Sequence, residues 1–339
     1  MILNLQLLQE MIDQKMVSVQ KHPNFDLFIY NYTPIVQYSR TWNEITLQTR
    51  GLILDSNKNI VARPFGKFFN IEEHSPEEIP NLPFEAYTKL DGSLGILYWA
   101  GGTPYISTRG SFTSDQAKHA TKILHEKYSH LFSYLDRNCT YLFEIIYPKN
   151  RIVVDYGDID DIILLTIINN STGEESLKEI GFKTVTKYDG TKDFQSLKNL
   201  NLSNEEGFII KFSNNFRVKI KFSDYIHLHK IITGISNVAI WEYLSQNKPI
   251  DELLEKVPDE FFDWVKSVQA DLQRKCKNIL EEVQNSFKIL GDRKETAMYF
   301  QTQKYPGILF AMLDSKSIEP LIWKLVKPEY SKPYKNYEE

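Results

Sequence analysis

Apolar and polar positions alternate, or gather in short apolar blocks, along most of the first 232 residues. Seven stretches carry the period and the turn-rich flanks of strands: GLILD (51–55), LGILYWA (94–100), TPYIST (103–108), TYLFEIIY (140–147), DIILLTII (161–168), EGFIIKF (206–212) and FRVKIKF (216–222). Between them, residues 114–135 place Ala117, Ile123, Leu124, Tyr128 and Leu131 at helical spacing behind a Ser114 cap. Strands joined by hairpin-type turns and broken by one helix predict an α+β domain with antiparallel sheets, not a doubly wound one.

The pattern changes after Gly234. Over 259–290, Phe261, Val265, Val268, Leu272, Cys276, Ile279, Val283 and Phe287 recur at steps of three and four, one apolar stripe on a long amphipathic helix. SNVAIWEYLSQN, DRKETAMYFQTQ and SIEPLIWKLVKP read as shorter helices. The expected organisation is therefore a mixed domain over 1–234 and a small all-α domain over 235–339, with a fraying polar end at PEYSKPYKNYEE. The opening MILNLQLLQEMIDQKM has helical spacing and acidic residues, so it reads as a helix, not a signal peptide. No apolar run is long enough to cross a membrane.

Composition adds little until it is read locally. With 42% hydrophobic and 25% charged residues, the chain is expected to be an ordinary soluble protein. A net charge of −4 argues against coating nucleic acid by bulk electrostatics. Yet 211–230 carries Lys211, Arg217, Lys219, Lys221 and Lys230 against the single acid Asp224. Cys139 and Cys276 lie far apart without metal-ligand spacing, and reduced thiols in the cytoplasm are expected.

Candidate chemistry begins at YTKLDGSLGILYW (87–99), where Lys89 stands two residues before Asp91, with Gly92 and Ser93 closing a turn. Alone, this is hairpin chemistry. VKIK (218–221) changes its weight. Residues two apart on a strand share a face, so Lys219 and Lys221 project together, and a phosphate is their natural guest. Such cations also favour the neutral form of a third lysine, the form in which an amine attacks. Glu144 and Glu206 are single acids in apolar β runs, suited to a hydrated Mg²⁺ or a ribose hydroxyl. Each has a plainer reading: the lysines as the guarded face of an edge strand, Glu144 as an outward-facing acid, Glu206 as a loop acid, Arg50 and Lys67 as surface charges. His227 and His229, with no third ligand, read as structural or RNA-facing. Taken together, an amine, paired cations and carboxylates describe phosphoryl chemistry.

In this order KLDGS, FEII, EEGFIIK and VKIK resemble the nucleotidyl-lysine and following motifs of the covalent nucleotidyltransferases, the ATP-dependent ligases and messenger-RNA capping enzymes. TRGLIL, KFFN and STRGSF narrow the likeness to the phage-type RNA ligase 1 family, with Arg109 where that family usually has a lysine. The resemblance implies an ATP-dependent RNA ligase working through lysyl-AMP on Lys89 and an RNA-adenylate, on single-stranded or broken-loop RNA ends, in RNA repair such as that of tRNA. It also implies Mg²⁺ or Mn²⁺ as the metal. By carry-over, Lys219 and Lys221 hold the α-phosphate, while Arg50 and Lys67, with Phe69 nearby, orient the β- and γ-phosphates. Thr88 and Gly92 lie beneath the nucleotide; Asp91, Glu144 and Glu206 share the metal's water shell and the ribose; Arg109 and Tyr225 face RNA. Nick sealing, GTP-dependent capping and an inactive RNA-end binder stand as alternatives. A monomer is the default expectation for the oligomeric state, which the sequence does not fix.

Overall fold

Three sheets, antiparallel but for one edge pairing, form the frame of the first of two units into which the chain divides, Met1–Ile232 and Thr233–Glu339. The computed structural model describes residues 3–190, 193–226, 229, 236–250, 253 and 262–329. The sequence-based boundary at 234 falls outside them, as do His227, Lys230 and Phe261.

Along the first unit run α1 (Leu5–Asp13), β1 (Val17–Lys21), β2 (Leu27–Tyr32), α2 (Pro34–Ser39), α3 (Glu44–Gln48), β3 (Arg50–Asp55), β4 (Ile60–Ala62) and β5 (Phe69–Asn70). β6 (Phe84–Lys89), β7 (Ser93–Ala100), β8 (Thr103–Ser107), α4 (Asp115–Tyr128), β9 (Cys139–Ile146), β10 (Asp161–Asn169) and β11 (Glu175–Ser176) follow. The last are α5 (Phe194–Lys198), β12 (Gly207–Phe212) and β13 (Arg217–Lys221). The sheet orders are β1-β2-β3-β4, β11-β10-β9-β7-β8 and β5-β13-β12-β6, with β5 parallel to β13.

All seven sequence-predicted strands are present, shifted by no more than one residue at either end. Ser93, expected in the turn, already belongs to β7. The helix expected to 135 is α-helical to Tyr128 and tightens to a 3₁₀ turn over Ser129–Tyr134. β1 and β6 escaped the sequence reading because each buries only one residue, Val17 and Ala86, so the alternation is faint.

Each sheet earns its place by what it buries. One face of the five-stranded sheet packs Leu97, Tyr141, Phe143 and Ile162 against Ile123, Leu124 and Tyr128 of α4. Its other face packs Ile96, Tyr98 and Leu142 against Ile29 and Ile53 of the first sheet. In the third sheet Ala86, Phe208, Ile210, Val218 and Ile220 point to one side, into a core closed by Val153, Val154 and Leu197. The alternate residues therefore all point to the opposite side, where the cavity lies.

The second unit is helical: α6 (Asn237–Ser245), α7 (Phe262–Ser286), α8 (Arg293–Gln301), α9 (Pro306–Leu313) and α10 (Glu319–Leu325). The predicted stripe holds on α7, where Val265, Leu272, Ile279 and Val283 are buried. α9 was missed; Pro306 and Gly307 suggest a turn, but Pro at the first helical position presets the helix instead. No described helix is long and apolar enough to cross a membrane.

Candidate active site

The register of β6, β12 and β13 arranges the cavity face in rows. Gly207 is paired with both Lys89 and Lys221, Ile209 with both Tyr87 and Lys219, and Lys211 with both Glu85 and Arg217. These three rows form one wall of a cavity of about 480 Å³. Glu144 of β9, Arg50 of β3 and Thr166 of β10 line it from other strands, with Phe65, Phe68 and Leu177. The period-two reading of VKIK was therefore correct about direction: Lys219 and Lys221 face a cavity, and the edge-strand alternative fails.

At one end Lys89 Nζ donates to Glu206 Oε2 at 2.6 Å, and Lys221 Nζ lies 3.8 Å from Glu206 Oε1. The two amines thus share one carboxylate, which is 4% exposed at the start of β12 and not a solvated loop acid. Gly207 makes this possible. It sits at φ +147°, and a Cβ there would fall 1.9 Å from the Ile220 carbonyl oxygen. Sequence reasoning expected the lysines to act on one another; in the structure Glu206 stands between Lys89 and Lys221.

Glu144 Oε1 accepts from the Gly92 N–H at 2.9 Å. Burial pushes the Glu144 carboxyl up to about 7, with Lys89 opposing the rise and Glu206 adding to it. Gly92 is required by closeness, not by a left-handed turn: a Cβ would lie 2.5 Å from the Ile145 carbonyl oxygen. Thr88 lines the same end, its N–H bonded to the Thr186 carbonyl.

Arg50 brings an unusual feature. Its Nη1 is buried with no hydrogen-bond partner among the described residues. Burial pulls the guanidinium below its ordinary value, partly offset by Tyr32 and Glu144, with Arg109 adding to the lowering. A buried donor without an acceptor is a place for an anion. Phe68 lies between this cation and the next, 5.8 Å from the Arg50 guanidinium and 5.5 Å from Lys219 Nζ.

Several sequence candidates are placed elsewhere. Asp91 is buried and turned away from the cavity: its Oδ2 accepts from the Val153 and Val154 N–H groups at 2.8 and 2.9 Å, and its Oδ1 from the Tyr225 hydroxyl at 2.8 Å. With its oxygens so engaged it braces the Lys89 turn from beneath, away from the cavity where the sequence reading had set it beside metal and ribose. Tyr225, expected to face RNA, is 5% exposed and belongs to the same brace. Lys67 does not line the cavity; its Nζ stands over the rings of Tyr32, Trp42 and Phe69 at 5.8, 5.4 and 5.3 Å. Phe69 lies with it outside the cavity, and its neighbour Phe68 takes the place within. Arg109 is exposed, donating to the Tyr32 hydroxyl at 3.1 Å, also outside.

The sequence pattern of the RNA ligase family matches residues 48–225, more than half of the 339 residues. The chain belongs to the RNA ligase family. It is 28% identical over 288 residues to a protein of Autographa californica nuclear polyhedrosis virus described as a bifunctional polynucleotide kinase/RNA ligase, across 74% of this chain. It spans only 40% of that protein's length. The RNA ligase of Rhodothermus phage RM378 is 23% identical over 338 residues, covering 76% of each chain. Among solved structures, a Naegleria gruberi RNA ligase variant with ATP and Mn is similar at 20% identity, over 45% of this chain and 53% of that one, with a TM-score of 0.37.

Within this RNA ligase family member, three cavity residues had no sequence signal as site residues. Phe68 was hidden beside Phe69, and strand alternation alone would have distinguished them only if β5 had been recognised. Glu175 and Arg217 are ion-paired across 42 positions, a juxtaposition that no spacing reveals. Among the described residues, no cluster of three or more His, Cys, Asp or Glu side chains could cage a metal.

Proposed function

We propose that the chain is an ATP-dependent RNA ligase, with Lys89 as the nucleophile. The supporting observation is the convergence on one cavity of Lys89, Glu206, Glu144, Lys219, Lys221 and the unpartnered Arg50 Nη1. Lys89 Nζ, once deprotonated, attacks the α-phosphorus of ATP. A phosphorus–nitrogen bond forms, the bond to the bridging oxygen breaks, and pyrophosphate leaves with the electron pair. AMP then passes to an RNA 5′-phosphate, releasing the lysine. An RNA 3′-hydroxyl attacks that activated phosphate, and AMP departs.

Within this reading Lys219 and Lys221 neutralise the α-phosphate oxygens as charge develops. Arg50 supplies a donor to the outer phosphates. Phe68 shields both cations from water and so strengthens their pull on phosphate. A divalent ion fits Glu144 and Glu206 only in the manner of Mg²⁺ or Mn²⁺, held by one or two carboxylates with water and phosphate completing the shell. Bound there, it neutralises polyphosphate charge. The domain reading, an adenylyltransferase over 1–234 and a helical domain over 235–339, belongs to the same proposal. So do broken or single-stranded RNA ends as substrates, a repair role in the cytoplasm and action as a monomer.

Incubation with α-labelled ATP and Mg²⁺ tests this directly. Acid-stable label on the protein, absent in Lys89→Ala, is the expected result. Label from GTP alone would indicate capping chemistry, and no label from either nucleotide would overturn the enzyme reading.

A further inference from the structure

Between β9 and β10 the segment 151–157 forms neither helix nor strand, yet it is tied to both of the loops that deliver the reactive pair. The Val153 and Val154 N–H groups donate to Asp91 Oδ2 at 2.8 and 2.9 Å, and the Tyr156 hydroxyl accepts from the Asp91 N–H at 2.7 Å. From the same segment the Asp155 N–H donates to Asn204 Oδ1 at 2.8 Å, while the Asp155 carbonyl accepts from Asn204 Nδ2 at 2.8 Å. Asp91 stands two residues after Lys89, and Asn204 two residues before Glu206. Because Lys89 Nζ and Glu206 Oε2 meet at 2.6 Å, the contacts close into a ring: Lys89, Asp91, the segment, Asn204, Glu206.

The segment is the stiff member of this ring. Val153 and Val154 are buried in the core of the third sheet. The Asp155 carboxylate binds Arg151 Nη1 at 2.8 Å and the Gly157 N–H at 2.9 Å, which fixes the curve of the chain. Asn204 adopts φ +57°, a conformation that asparagine tolerates better than most residues. Its two bonds to Asp155 lie at the surface, where a bond to protein replaces one to water and adds little net stability. Their effect is on position. Glu206 lies just before β12, its carbonyl held by the Phe222 N–H at 2.9 Å, and the Asn204 clamp sets how the chain approaches it. At the other end, burial, with Asp91, Glu144 and Glu206 adding to it, raises the Tyr156 phenol, so its oxygen meets the Asp91 N–H as a neutral hydroxyl.

We propose that Asn204 and Tyr156 are positioning residues for lysyl-AMP formation, holding the Glu206 carboxylate against the Lys89 amine through the strap 151–157. This rests on the ligase reading above and adds to it two residues that do not line the cavity. A carboxylate takes a proton from the amine only within hydrogen-bond reach, and about 1 Å of misplacement costs roughly 100-fold. Standing outside the cavity, neither residue binds nucleotide, so loosening either one slows the step without weakening the hold on ATP.

The test is single-turnover labelling of the full chain over a range of α-labelled ATP concentrations, read as a maximal rate and a half-saturating concentration. Asn204→Gly keeps access to the positive φ and deletes both bonds to Asp155. Tyr156→Phe keeps the ring and deletes the acceptor of the Asp91 N–H. Each is expected to lower the maximal rate about tenfold or more and to move half-saturation by less than about twofold. Asn204→Asp retains the acceptor for the Asp155 N–H and is expected to fall between wild type and Asn204→Gly. In the double variant Asn204→Gly, Tyr156→Phe the losses should not multiply, because a ring opened at one end is already slack. Asn59→Gly deletes a comparable exposed bond, Nδ2 to Asp55 Oδ2 at 2.8 Å, in the β3–β4 turn and is expected to keep the wild-type rate. With circular dichroism showing the variants folded, wild-type maximal rates, multiplying losses, or a loss carried by half-saturation each overturn the strap while wild-type label upholds the ligase reading. Absence of label on the wild-type protein overturns that reading, and the strap with it.

Discussion

Lys89 Nζ lies 2.6 Å from Glu206 Oε2, although the two residues are 117 positions apart. Attack on phosphorus requires the amine to lose a proton, and a carboxylate at this distance is placed to accept it. Glu206→Gln keeps a hydrogen-bond acceptor in place but removes the charge shared with Lys221. Lysyl-AMP formation is expected to fall about 100-fold or more, within the range for a positioned proton-transfer group. Single-turnover labelling measures it. An unchanged rate in Glu206→Gln would remove Glu206 from the chemistry.

Asp91 and Tyr225 give a different expectation. Removing the Asp91 carboxylate leaves the Val153 and Val154 N–H groups and the Tyr225 hydroxyl without their acceptor in a buried setting. Asp91→Ala is expected to destabilise the fold by about 3 kcal/mol, since several buried donors lose their partner. Tyr225→Phe, which deletes one donor, is expected to lose about 1.5 kcal/mol, the lower end for a bond to a charged group. Thermal melts give the order. In labelling, both should lower the maximal rate more than they raise the ATP concentration needed, because they position the Lys89 turn and do not touch nucleotide. A large rise in KM for ATP with Tyr225→Phe would contradict this.

How much of this was legible beforehand depended on period and on partners. Lys219 and Lys221 were placed correctly because a strand's two-residue repeat is a local property, and the alternate Val218 and Ile220 mark the buried side. Asp91 was misplaced because a turn's carboxylate can face either way, and the groups that hold it arrive from 62 and 134 positions later. Glu175 and Arg217 carry no local sign of each other. Phe69 was chosen over Phe68 because nothing in KFFN shows which ring faces inward until β5 pairs with β13.

Glu144 provides a pH dependence. Its carboxyl is raised from 4.5 to about 7, chiefly by burial, so the folded protein binds a proton more tightly than the unfolded chain does. Stability from this group is therefore greatest below about pH 4.5 and declines as pH rises towards about 7, after which it is level. Labelling should run the other way, rising through about pH 7 as Glu144 ionises and can serve the metal. Glu144→Gln is expected to flatten the stability profile over this window and to lose most of the label at pH 8. A stability profile identical to wild type would show that Glu144 does not titrate there.

Gly207 and Gly102 separate two causes of a glycine's necessity. Both have positive φ, +147° and +82°, but a Cβ at Gly207 would fall 1.9 Å from the Ile220 carbonyl oxygen, while nothing lies within 4 Å of one at Gly102. Gly102→Ala therefore pays for backbone strain alone, about 1 kcal/mol. Gly207→Ala adds a backbone clash in the row that aligns Lys89 with Lys221, so β12 must move away from β13. A loss of about 3 kcal/mol or more is expected, from strain and overpacking together. Urea titrations compare the two variants. The displacement also shifts Glu206, the next residue, so Gly207→Ala should lose lysyl-AMP formation even at temperatures where it remains folded, whereas Gly102→Ala should retain it. Equal stability and equal labelling in the two variants would mean that the close approach of β12 to β13 does not set the geometry of the Lys89–Glu206–Lys221 group.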